Sequence, residues 1–181
     1  MTTETQRLHI RPYEKEDYLA WHQGYQGRKP SRYKHDAGHD GEYFSERWFE
    51  KWVDEFHQEA RKDRTYLFGI FRKEDGAHIG EIELVTIMRD GYDWAMMGYA
   101  IHNQYHRKGY GQESVEAIDP ICFYELNFNR IELQIDIDNE PSKAFAERIG
   151  FTYECTRPQF YYEEGKWKDQ VIYVKNKERF I

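Results

Sequence analysis

Apolar residues along this chain recur at two spacings, and the changes of spacing divide it into elements. Residues 6–11 alternate, with Leu8 and Ile10 set between polar neighbours, as a half-buried strand requires. Pro12 is expected to stop that strand. Residues 14–25 read as a short helix with Tyr18, Leu19 and Trp21 towards the core. Residues 26–41 are rich in Gly, Pro, Lys, His and Asp, a loop long enough to be functional or mobile. Ser45 is placed to cap a following helix, on which Trp48, Phe49, Trp52, Val53 and Phe56 fall at helical spacing and are read as core.

The period then drops to two. Residues 66–72 and 78–87 form a hairpin about a turn at 73–76, and a second turn at Asp90-Gly91 leads into a third strand, 93–101. A polar loop, 102–111, precedes a helix from Gln112 to about Leu126. Residues 130–135 return to a strand rich in Ile and Leu. Pro141 suits the first turn of a further helix, and Gly150 its C-terminal stop. Residues 152–162 and 167–175 close the chain as a hairpin around Glu163-Glu164-Gly165. The order predicts a mixed α/β sheet holding one strand–loop–helix–strand unit, in a single domain over residues 1–181.

Composition narrows the class. Aromatic residues make up 17% of the 181 positions against only 39% apolar overall, so rings must build much of the core. A formal charge of −7 without a dominant block disfavours nucleic acid as a partner and favours cationic ones. Cys122 and Cys155 have neither paired nor metal-ligand spacing, which points to a reducing compartment. No apolar run resembles a signal sequence or a membrane span, so a soluble cytoplasmic domain is expected.

The most informative segment is Tyr105-His106-Arg107-Lys108-Gly109-Tyr110-Gly111, between a strand and a helix. Two glycines one residue apart allow a tight turn and a close approach of backbone to ligand. The helix beginning near Gln112 offers unpaired N–H groups and a positive dipole end, and Arg107 and Lys108 add charge, so a phosphate is stabilised there. A dinucleotide fingerprint would need a third glycine at Ser114, and a Walker loop would need Gly-Lys-Ser/Thr; neither is present. His35-x-x-x-His39 and His102-x-x-x-His106 have helical metal-ligand spacing but fall in loops without a third ligand, so no metal is expected.

A second segment, Asn139-Glu140-Pro141-Ser142 followed by Ala146-Glu147-Arg148-Ile149-Gly150-Phe151, completes a pattern. In this order and spacing the two segments resemble the GCN5-related N-acetyltransferase superfamily, in its ribosomal-protein N-acetyltransferase branch. Arg7-Leu8-His9-Ile10-Arg11-Pro12 and Met97-Gly98-Tyr99-Ala100-Ile101 are similar to that branch as well. The resemblance spans nearly the whole chain. It implies a mostly antiparallel mixed sheet of about seven strands flanked by helices. The strands at 93–101 and 130–135 should splay into a V that admits the pantetheine arm. It further implies acetyl-CoA as co-substrate, held by Tyr99, Ile101, His106, Arg107, Lys108, Gly109, Tyr110, Gly111, Gln112, Asn139 and Ser142. His106 departs from the Gln or Arg usual at the first motif position.

The chemistry asks for a neutral amine, although a free alkyl ammonium has a pKa near ~10.4. A carboxylate acting through water is a suitable base. Glu81 and Glu83 share one face of the strand at 78–87. Glu83 is taken as the catalytic base, and Glu81, with Asp36 of the long loop and Tyr161 of the closing hairpin, as acceptor contacts. Ala146 stands where many relatives carry a Tyr that protonates the thiolate, so Ser142 is the residue expected to contact the sulfur. Asn139 serves the pantetheine or simply caps its helix. The expected acceptor is a primary amine: a protein α-amino group, or a small amine such as a polyamine or antibiotic. A non-catalytic acetyl-CoA sensor is the alternative, and a homodimer is left open.

Overall fold

The computed structural model describes residues 1–31, 34–35 and 44–178. Its strands are β1 (Thr3–Glu4), β2 (Leu8–Pro12), β3 (Thr65–Arg72), β4 (His78–Met88), β5 (Trp94–Ile101), β6 (Arg130–Asp136), β7 (Thr152–Glu163) and β8 (Lys166–Asn176). They make one sheet in the order β1-β2-β3-β4-β5-β6-β8-β7, antiparallel throughout except for β5 and β6. Four α-helices cover it: α1 (Tyr18–Gln26), α2 (Glu46–Arg61), α3 (Tyr110–Pro120) and α4 (Glu140–Arg148). No helix among the described residues is long and apolar enough to cross a membrane.

Alternation along the strands supplies two cores. Ile82, Leu84 and Met97 point to one face and meet Val115 and Ile118 of α3 and Ala146 of α4. Leu67 and Phe71 point to the other and meet Trp21 of α1, Phe49 and Val53 of α2, and Tyr13. Ser45 caps α2, its hydroxyl accepting from the Trp48 amide at 3.2 Å. Burying Phe49 and Val53 contributes roughly 1.5–3 kcal/mol each, and both are at most 1% exposed.

The two parallel strands are the feature that positions a site. They pair only at Trp94–Arg130, Ala95–Ile131 and Met96–Glu132. Beyond this, β5 runs on to Ile101 and β6 to Asp136 without meeting, which is the expected V. The amide of His102 donates to the Ile79 carbonyl at 2.8 Å. Alternation from that bond turns the backbone groups of Ala100 and Gly98 towards β4 and those of Ile101, Tyr99 and Met97 towards the gap.

Several expectations change. The sheet has eight strands, the additional one being the two-residue β1 that pairs with β2 at the sheet edge. Pro12 ends β2 as expected, itself the last paired residue, opposite Phe68, while the strand starts at Leu8 rather than Gln6. The first helix is a 3-10 turn, Lys15–Asp17, leading into α1. Leu19 is 67% exposed; it sits about 200° around the helix from the buried Trp21, on the solvent side. Helix α3 starts at Tyr110, two residues earlier than expected. It gives way at Pro120 to a π-helical turn over Ile121–Glu125, because proline removes a helical donor. Trp48 is 37% exposed and stacks on Phe44 at 3.9 Å, so it lies at the margin of the second core, while Trp52 and Phe56 are half-buried against it.

Candidate active site

The turn before α3 satisfies its acceptors and leaves its donors open. Arg107 (φ 61°) and Gly109 (φ 80°) are both left-handed, which reverses the chain over three residues. The Lys108 carbonyl accepts from Arg7 Nη1 at 3.0 Å, the Gly109 carbonyl from the Glu113 amide at 3.1 Å, and the Gly111 carbonyl from Ser114 Oγ at 2.9 Å. Among the described residues no backbone acceptor is paired with the amides from Arg107 to Gln112. A row of open N–H groups at a helix start is an anion cradle. Gly111 is needed for contact, since a Cβ there would lie 3.2 Å from Phe145 Cζ.

A cleft of about 470 Å³ leads away from this turn. The cradle side contributes His106, Arg107, Gly109, Tyr110, Gly111 and Gln112 to its lining. Strand β5 contributes Tyr99, Ala100 and Ile101, and α4 contributes Asn139, Pro141, Ser142, Phe145 and Arg148. His106 turns inward, its Nε2–H donating to the Ile101 carbonyl at 2.8 Å. Asn139 caps α4 by accepting from the Ser142 amide at 3.2 Å. The Ser142 hydroxyl lies 3.3 Å from Tyr99 Oη, and Lys108 lies outside the cleft lining, at the turn's outer edge.

The carboxylates stand on the opposite face of the same strands. Glu81 is opposite Ala100 in register, and Glu83 is opposite Gly98. A Cβ at Gly98 would meet nothing within 4 Å, so space is open beside Glu83. Burial pushes the Glu83 carboxyl up from its ordinary value, and among the described residues it makes no hydrogen bond. Glu81 is also raised, chiefly by burial and further by Glu83. The Tyr13 hydroxyl, which donates to its Oε2 at 3.0 Å, opposes the rise. One carboxylate is therefore engaged and its neighbour is unengaged.

Other expected residues fall elsewhere. Tyr161 is 49% exposed on β7, opposite Lys168 and outside the cleft lining. Asp36 and His39 lie outside the described residues. His102 is not spaced for a metal with His106; its Nε2 lies 3.0 Å from Nδ1 of His78. His35, Asp136 and Asp138 do converge, their ligand atoms within 4.8 Å of one another. Lys34 pairs with Asp138 and the Gln170 amide donates to Asp136, so both carboxylates already have partners. Sequence reading missed Arg7, Tyr13, His78 and the cleft residues Phe145 and Arg148, whose roles come from contacts between distant segments.

A sheet opened between two parallel strands, with an amide cradle at the mouth of the gap and carboxylates across it, defines a group-transfer enzyme for a diphosphate-bearing donor. The comparisons make this specific: residues 7–152 match the acetyltransferase (GNAT) domain, and the chain belongs to that family. It is 32% identical over 123 residues to "Probable N-acetyltransferase YjcK" of Bacillus subtilis, covering 67% of this chain and 68% of that protein. It superimposes on a Vibrio cholerae structure assigned as a ribosomal-protein-serine acetyltransferase, with TM-score 0.77, 25% identity and 98% of each chain covered. The fold also matches RimL, a ribosomal L7/L12 α-N-protein acetyltransferase in complex with coenzyme A (TM-score 0.78, 19% identity, 97% and 98% covered). The chain is an N-acetyltransferase of a fold that binds acetyl-CoA.

Proposed function

We propose that this protein, as a single catalytic domain, transfers the acetyl group of acetyl-CoA directly to a primary amine bound beside Glu83. The observation that carries the reading is the juxtaposition across β5: open amides from 107 to 112 on one side of the gap, an unengaged carboxylate beside open space on the other.

Acetyl-CoA supplies the activated acetyl group, and a C–N bond to the amine replaces its C–S bond. The amides of Gly109, Tyr110, Gly111 and Gln112 hold the diphosphate, with Arg107 and Lys108 as flanking cations. The gap-facing backbone of Tyr99 and Ile101 pairs with the pantetheine arm, and a strand amide near Met97 to Tyr99 receives negative charge developing on the acetyl oxygen. His106 closes the Ile101 carbonyl and so shapes the arm's entry. Glu83, directly or through water, accepts the proton that the amine must lose, and burial, by raising its carboxyl, strengthens it as a base. Ser142 orients the sulfur, and a thiol of pKa near ~8.5 leaves without strong acid help. Asn139 fixes Ser142 by capping α4.

Glu81 belongs to the acceptor side, where a carboxylate favours an ammonium. The acceptor is proposed to be a protein α-amino group, supported by the 25%-identical relative assigned to a ribosomal protein. Small cationic amines are the second class, supported by the same carboxylate. Two free thiols, Cys122 and Cys155, support a reducing cytoplasmic setting.

Thiol release from acetyl-CoA, measured with peptides bearing free N-termini and with spermidine, tests the reading. Turnover with at least one amine is expected. Coenzyme A binding without turnover for any of them would replace this reading with a sensor.

A further inference from the structure

Beneath the acceptor face lies a chain of polar side chains outside the segments that carry the family resemblance. Arg28 Nε donates to His102 Nδ1 at 2.8 Å; His102 Nε2 is 3.0 Å from His78 Nδ1; His78 Nε2 is 2.7 Å from Tyr13 Oη; Tyr13 Oη donates to Glu81 Oε2 at 3.0 Å. His78 and His102 are each 1% exposed and Tyr13 is 3% exposed, so no solvent completes these bonds. The members come from the loop after β2, the end of α1, the start of β4 and the residue after β5.

Chemistry gives the chain one direction. An arginine Nε can only donate, so His102 Nδ1 must be bare and a neutral His102 must carry its proton on Nε2. That proton points at His78 Nδ1, which must therefore accept, leaving the His78 proton on Nε2. Nε2–H then donates to the Tyr13 oxygen, and the Tyr13 hydroxyl proton is left to face Glu81. Burial keeps both imidazoles neutral, pushing His78 down to about 3 and His102 to about 2. Helix α1 is fitted to the pair: a Cβ on Gly24 would come within 2.8 Å of His102 Nε2 and 3.0 Å of His78 Nδ1.

We propose that Arg28, His102, His78 and Tyr13 are positioning residues whose one-way hydrogen bonds present an obligatory O–H donor to Glu81 Oε2, keeping that carboxylate ionised and its other oxygen turned to the acceptor amine. This rests on the acetyl-transfer reading above. The chain does not conduct protons outward, because it ends on a cation that cannot accept one. It acts by fixing orientation. It separates two carboxylates two residues apart into an ammonium anchor, Glu81, and a base, Glu83. The groups acting on Glu81 are Tyr13, Glu83 and Arg28; those acting on His78 are Asp17, the Gly80 backbone and Arg28, and those acting on His102 are His78, Arg28 and His106.

The test has two arms. In the full chain labelled with 15N-histidine, the imidazole resonances of His78 and His102 should each show Nε2 protonated and Nδ1 bare, with no titration between pH 8 and pH 5. A proton on Nδ1 of either ring, or titration near the ordinary ~6.5, would overturn the chain. In the activity arm, Tyr13→Phe keeps the buried ring. It should raise KM for the amine about tenfold and move the acid limb of kcat/KM to higher pH, with coenzyme A affinity unchanged. An unmoved limb and KM, beside an active wild type, would remove the role given to Tyr13 and leave acetyl transfer standing. A wild type that binds coenzyme A yet acetylates neither spermidine nor any peptide would overturn acetyl transfer and Glu81's role together.

Discussion

The two sides of β5 are built by opposite means. The proposed cradle at 106–112 is one contiguous segment of open backbone amides, with Gly109 providing the turn and Gly111 the close approach to Phe145. The acceptor face is assembled from side chains scattered between Tyr13 and His102, each useful only because others hold it. The difference teaches where tolerance lies. In the cradle the two glycines carry the geometry, with Tyr110 anchored in the core. In the acceptor network, the direction of every proton depends on Arg28 at one end and its delivery to Glu81 on Tyr13 at the other.

Substitutions can break or sharpen that contrast. The largest effect is expected from Gly111→Glu, which sets bulk against Phe145 and negative charge at the helix start. Coenzyme A affinity measured by calorimetry should fall at least ~100-fold, since both the cradle's space and its field are lost. Substituting His106 by Gln should change affinity only a few-fold, because His106 serves the Ile101 carbonyl rather than the turn.

Next comes Glu83→Gln. Loss of a general base costs roughly 10²–10⁴ in rate, so kcat should drop by at least two decades near neutral pH and recover in part in alkali. The wild-type rate should decline as pH falls through a value above the usual carboxylate range, because burial raises Glu83. A profile that is the same in both proteins would remove Glu83 as base.

A smaller effect, on stability, is expected from Gly24→Ala, whose Cβ has no room between His78 and His102. It should cost about 1–3 kcal/mol in denaturant titrations. The folded values of both imidazoles are depressed, so their contribution to stability is complete above the unfolded value of about 6.5 and is lost as pH falls towards about 3 and about 2. Wild-type unfolding should therefore take up protons between pH 6.5 and pH 4 in excess of the carboxylates' share, and the excess should disappear in a variant lacking both imidazoles. Ser142→Ala should have the smallest effect, a few-fold loss in kcat, if its hydroxyl only orients sulfur beside Tyr99.

Legibility in the sequence follows the same division. The turn before α3, the α4 cap at Asn139 and the hairpins could be read because each is a local rule: glycine at positive φ, Asn at a helix start, Glu164-Gly165 at a tight turn. The parting of β5 from β6 came through family resemblance rather than periodicity, since nothing in either strand's alternation says where pairing stops. The His78–His102 contact was invisible because it is made by register between β4 and β5 and by the absence of a side chain at Gly24. His102 and His106 share a metal-ligand spacing at which no metal was expected. The two rings point to different partners, one into the core and one to Ile101.

The central claim is that main-chain amides from 107 to 112 hold the donor's diphosphate. The most direct measurement is a residue-resolved 1H–15N spectrum of the backbone amides during titration with coenzyme A. The amide protons of Gly109, Tyr110 and Gly111 should move downfield more than any others outside the gap strand, as new charge-assisted hydrogen bonds form. Saturable binding that leaves those three amides unshifted would contradict it.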